Sequence, residues 1–166
     1  MEFILPLTII VFATIYVTIR LVLLAIKFLR EKKINLGQFR LYEGKFPDEL
    51  LSARYLFKNM FEIPILFYLL CLINMNLNNY FILDIILAWG FVVFKILHVF
   101  TRLKNQKKIN ILPRTYTFFI SLGFLILGWM SFSINVILKH FFLKCYCVSY
   151  AIKIYIYNFF YFFYRL

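Results

Sequence analysis

Glu62 places a carboxylate at the mouth of an apolar run, Ile63-Pro64-Ile65-Leu66-Phe67-Tyr68-Leu69-Leu70, that is ready to cross a bilayer. A charge in such a place is expensive, so it has a partner and often a task. Asn59 lies three residues earlier, on the same face if this stretch is helical. Arg20, Asp84, Lys95, His98 and Arg114 are the other titratable side chains set in or against apolar stretches. Within the chain, Arg20 and Lys95 are the natural counter-charges for Glu62, in a buried polar network that would tie helices together. Asp84 and Lys95 are eleven residues apart. They share a helical face but sit about 16 Å apart along the axis, too far to pair within one helix. Asp84 is expected at the interface, and His98 reads first as a packing or hydrogen-bonding residue with a smaller claim to catalysis.

The elements that must carry these residues are membrane spans. The chain has 166 residues, of which 64% are hydrophobic, against about 45–50% in soluble domains. With a mean hydropathy of +0.84 it reads as an all-α integral membrane protein. Its net charge of +12 comes from basic residues that flank apolar runs. That pattern reports topology and attraction to anionic headgroups, and it argues against nucleic-acid binding. Cys71 falls inside an apolar run, and Cys145-Tyr146-Cys147 lacks companions at zinc spacing, so neither a disulfide framework nor a metal is expected. The N-terminus has no basic region or small-residue cleavage site, so the first apolar run is read as a retained span.

Four spans are expected, at about 3–24, 56–73, 81–100 and 115–138, each near the length needed to cross a core of about 30 Å. Pro47-Asp48-Glu49 has the form of a helix start, with acids suited to the first turn. Pro64 should kink the second span or mark a helix contact. Gly123 and Gly128 should admit close packing in the fourth. The segments 27–58 and 102–114 are basic, and the turn at 74–80 is uncharged. The positive-inside rule then puts both basic segments in the cytoplasm and the N-terminus outside. Which membrane is involved stays open between a bacterial inner membrane and the endoplasmic reticulum. Residues 140–166 differ in kind, since twelve of the 27 are Phe or Tyr. This extra aromatic segment follows the four-helix unit of 1–139 as an interfacial helix or a fifth span.

Two stretches taken together resemble the MAPEG family, the membrane-associated proteins of eicosanoid and glutathione metabolism. One is Arg54-Tyr-Leu-Phe-Lys-Asn59-Met-Phe-Glu62-Ile-Pro64 with the apolar run after it. The other is Leu97-His98-Val-Phe-Thr, a basic loop, Asn110-Ile-Leu-Pro-Arg114, and an apolar helix containing Gly128-Trp129. The resemblance covers roughly residues 3–138 and implies a four-helix membrane bundle assembled as a homotrimer. It also implies glutathione as co-substrate, bound between subunits, and a transferase or peroxidase acting on lipophilic molecules from the bilayer. By position, Asn59, Glu62, Arg54 and Arg20 would bind glutathione. Arg114 would be catalytic, stabilising the thiolate, with Lys95 and His98 behind it. The chain departs from the pattern at Tyr55, where better-known members carry Arg, and in the third helix, where no Tyr stands between Phe81 and Leu112. The alternative implied by those departures is a non-catalytic membrane bundle with a structural or partner-binding role.

Overall fold

A computed structural model describes residues 2–41, 46–78, 80–104 and 112–164; for 39–41 and 140–164 the description covers the backbone alone. The described elements are α1 (Ile4–Arg30), a short α2 (Leu36–Leu41), α3 (Asp48–Leu77), α4 (Ile82–Lys104) and α5 (Leu112–Tyr164). Among the described residues there is no strand. α1, α3, α4 and the part of α5 from Leu112 to Lys139 are each long and apolar enough to cross a membrane. The protein is therefore a multi-pass helical membrane protein, as the composition requires. In a bilayer only such helices or a closed barrel satisfy every backbone polar group.

The helix ends follow local chemistry. α1 stops at Glu31, and Lys32 takes a left-handed conformation (φ 53). Its N–H bonds the Leu29 carbonyl at 3.1 Å, and the Lys33 N–H bonds the Phe28 carbonyl at 3.0 Å, which satisfies the last carbonyls of the helix. α3 begins at the expected Pro47-Asp48 and runs unbroken through the expected second span, so start signal and span belong to one 30-residue helix. It ends at Asn78, also left-handed (φ 47), a conformation Asn tolerates better than most residues. α5 continues as helix through the aromatic segment to Tyr164, 53 residues in all. At 1.5 Å per residue that is about 80 Å, more than twice the hydrocarbon core.

The helices run up and down. α4 packs most extensively on α5, and α1 on α3. One apolar cluster gathers Phe3, Ile10, Phe67, Leu70 and Phe91 at the N-terminal end of α1, with Phe67 and Phe91 stacked at 4.5 Å. A second, smaller group joins Val17, Leu56, Met60 and Val99 at mid-depth. Phe28, Ile34 and Leu50 close the basic end. Pro64 is buried inside α3. It lacks the N–H that would bond the Met60 carbonyl, and the Thr14 hydroxyl of α1, which bonds the Ile10 carbonyl of its own helix at 2.9 Å, also approaches that oxygen at 3.4 Å. The proline thus marks a helix contact.

Close approach is made at Gly90 and Gly128. A Cβ on Gly90 would lie 2.5 Å from the Phe124 ring, and one on Gly128 would lie 2.9 Å from Leu70. Gly123 faces open space, so of the two expected packing glycines only Gly128 acts as one, and Gly90 joins it. Gly90→Ala is expected to destabilise by about 1–3 kcal/mol through overpacking. Gly123→Ala is expected to leave stability unchanged or to raise it by up to about 1 kcal/mol, since Ala favours helix. Thermal unfolding of the two purified variants in one detergent checks the contrast.

Candidate functional site

α4 carries its polar residues on one face, and that face is turned inward. Lys95, His98 and Arg102 are spaced three and four residues apart, so they line up along the helix. All three are buried, with Lys95 at 0% exposure. Lys95 Nζ donates to the backbone carbonyl of Asn59 at 3.2 Å and lies 5.7 Å from the Phe118 ring centre. The carbonyls of Asn59 and Met60 sit side by side in the turn before Pro64. Lys95 from α4 and Thr14 from α1 therefore each hold one of them.

His98 contacts the first turn of α5. Its Nδ1 lies 3.0 Å from the Arg114 carbonyl oxygen and 3.3 Å from Thr117 Oγ1. A carbonyl only accepts, so Nδ1 carries the proton and donates it. Nε2 is thereby left as a buried acceptor, and it has no partner among the described residues. Arg102 Nε is likewise a buried donor without one. Lys95, Arg102 and Arg114 thus form a basic wall between α4 and α5, with the His98 imidazole set among them, and no carboxylate faces it among the described ion pairs. An arrangement of this kind attracts an anion.

Glu62 lies elsewhere. Its side chain is 60% exposed and pairs with Lys58, one turn earlier, at 3.6 Å. Arg54, Tyr55, Lys58, Phe61 and Glu62 share a groove of about 470 Å³ on the outer side of α3. The partner of Glu62 within the chain is therefore Lys58, and neither Arg20 nor Lys95 fills that place. Arg20 is half-buried on α1 and has no hydrogen bond or ion pair among the described residues. Of the sequence-derived site residues, the structure joins Lys95 to the Asn59 carbonyl and His98 to the Arg114 carbonyl, while Arg54 and Glu62 line one groove. It sets these pairs on two different faces of the chain.

Asp84 also departs from expectation. It is 4% exposed rather than at the interface. It accepts the Phe81 N–H at 2.8 Å at the start of α4, half of a capping box, and it also accepts from Ser131 and Asn135 of α5. Sequence reading missed Arg102 and the α5 partners of Asp84. The 95–98–102 spacing could have found Arg102, since three basic residues on one helical face need a common neighbour. The Ser131–Asn135 spacing of four is the matching signal on α5. No group of three or more His, Cys, Asp or Glu able to hold a metal occurs among the described residues.

Lys95→Met tests whether this ammonium is structural. It removes a buried charge and one bond to a carbonyl while keeping the apolar stem. The variant is expected to unfold at the same temperature or higher. Thr14→Val should instead lower stability by about 0.5–1.5 kcal/mol, because it removes the one hydroxyl proton that the Ile10 and Met60 carbonyls share at 2.9 and 3.4 Å. Thermal melts of both variants decide.

The model of the MAPEG family fits residues 3–134. No curated protein and no solved structure matches the chain.

Proposed function

The chain belongs to the MAPEG family, and from that premise we propose that it is a glutathione-dependent transferase or peroxidase acting on lipophilic molecules drawn from the bilayer. The observation that carries this reading is the basic wall of Lys95, Arg102 and Arg114 around His98, which has no carboxylate paired to it among the described residues. Glutathione brings two carboxylates, an ammonium and a thiol. Arginine and lysine suit its carboxylates. The Glu62 carboxylate suits its ammonium, displacing Lys58. Arg114 at the start of α5 is placed to favour the thiolate, which is the reactive form.

The two faces that carry these residues belong to one site when copies of the chain assemble. In a homotrimer the outer groove of α3, with Arg54 and Glu62, lies against a neighbouring copy, and glutathione lies between the two. Arg20 has no hydrogen bond or ion pair among the described residues and is available to that shared site. The N-terminus outside, with the basic ends of the helices in the cytoplasm, places glutathione on the side where it is abundant. With an aryl chloride, the thiolate sulfur bonds to the ring carbon. Chloride leaves with the carbon–chlorine electron pair, and the thiol proton goes to water.

A second reading has its own support. Glu62 is paired within the chain, and Lys95 and His98 spend bonds on backbone carbonyls. Those bonds suit a non-catalytic bundle that keeps the fold for a structural or partner-binding role.

Calorimetry with glutathione on the detergent-purified protein separates the two readings, followed by conjugation to a chlorinated nitrobenzene. Binding with turnover is expected, and the absence of heat at millimolar glutathione favours the non-catalytic bundle. Glu62→Gln should weaken binding about tenfold or more, corresponding to the loss of one charge-assisted bond. Arg114→Ala should lower turnover more than affinity. Native mass spectrometry should show three copies, and a monomer that binds glutathione fully would remove the shared site.

A further inference from the structure

Toward the basic helix ends a hollow of about 280 Å³ lies between α1 and α3, separate from the wall on α4 and α5. Leu21, Val22 and Ala25 line it from α1, and Leu51, Arg54 and Phe57 line it from α3. Arg54 is the one charged residue in its lining, and none is acidic. Ligand sites have this make-up, with mostly apolar walls and a polar group that fixes orientation. The hollow adjoins the outer groove of α3 and shares Leu51, Arg54 and Phe57 with it. Lys58 and Glu62 line the groove alone.

Depth narrows what fits. On α1 the lining residues come just before Lys27 and Arg30, the basic residues of the last turn. On α3, Leu51 and Arg54 stand within the first two turns. The hollow therefore sits where hydrocarbon gives way to headgroups. An arginine at that level lays its stem along apolar surface and keeps its guanidinium among the headgroups. Between Lys27 and Glu62 the sequence holds eight basic residues and five acids, so this end is net positive. An occupant must be apolar toward the core and anionic toward the helix ends.

We propose that this hollow binds an anionic phospholipid, with one acyl chain against Leu21 and Phe57 and the phosphate at Arg54. A guanidinium matches a phosphate through two parallel N–H···O bonds. Basic residues just beyond a membrane helix favour an anionic headgroup, and they disfavour one that carries its own ammonium. The site is independent of the glutathione reading, which depends on Glu62 across the shared wall.

The test uses the full chain, purified in neutral detergent and stripped of lipid. Phosphatidylglycerol or phosphatidylcholine of equal chain length is added, and bound lipid is counted by native mass spectrometry. Saturation at one phosphatidylglycerol per chain is expected, with phosphatidylcholine about tenfold weaker. Arg54→Gln should remove that preference by weakening phosphatidylglycerol about tenfold, the loss of one charge-assisted contact. Ala25→Phe should abolish binding by filling the hollow. Glu62→Gln should leave lipid binding unchanged while it weakens glutathione, so the two readings fail separately. Comparing the two lipids on the unaltered chain needs no variant to fold. Equal affinity for both lipids, or binding that never saturates, overturns the site. Full lipid binding in Ala25→Phe overturns it as well, and a changed number of copies in that variant would make the hollow an interface between copies instead.

Discussion

Pro64 interrupts the hydrogen-bond ladder of a membrane helix, and the bilayer offers no water to repair it. The Met60 carbonyl must find a donor inside the protein. Thr14 of α1 reaches it, while Lys95 of α4 takes the neighbouring Asn59 carbonyl. Two neighbouring contacts, only the first of them due to the proline, thus join three helices at mid-depth. Lys95 has no exposed surface and is tolerated in α4 because its ammonium meets a carbonyl dipole and an aromatic face instead of solvent. Once α3 and α4 are registered this way, His98 and Arg102 follow on the same face and meet the first turn of α5.

The bundle is polar inside at both ends and apolar between. Toward the basic end α4 turns Lys95, His98 and Arg102 inward. Toward the other it turns Asp84 inward onto Ser131 and Asn135. Between them Phe91 stacks on Phe67. Inside a membrane the hydrophobic effect does little to hold helix against helix, so packing and buried hydrogen bonds set the register. The glycines at 90 and 128 let Phe124 and Leu70 approach closely enough for that packing to work.

Much of this was legible in the residues. Sustained apolar runs with basic flanks define four spans wherever they occur, because crossing hydrocarbon requires about 20 apolar residues whatever the fold. The Asn59-x-x-Glu62-x-Pro64 stretch, taken with Arg114, pointed to the family that the match over residues 3–134 establishes. The Pro47-Asp48 start and the Asn78 stop are local effects of backbone geometry and charge, and sequence carries them directly.

What sequence could not assign was partners, because these depend on which helix faces which. Glu62 has Lys58 one turn away, and only packing shows that Lys95 is turned inward to a carbonyl while Glu62 stays on the outer groove. Asp84 reads as an interface residue until α5 is laid against α4 and brings Ser131 and Asn135 to it. The sequence by itself determined the number of spans and pointed to the family, since those follow from composition and motif. The tertiary structure alone decided which buried charges meet dipoles, which meet each other, and which are left facing a space, because a helix rotation of a few tens of degrees exchanges one neighbour for another.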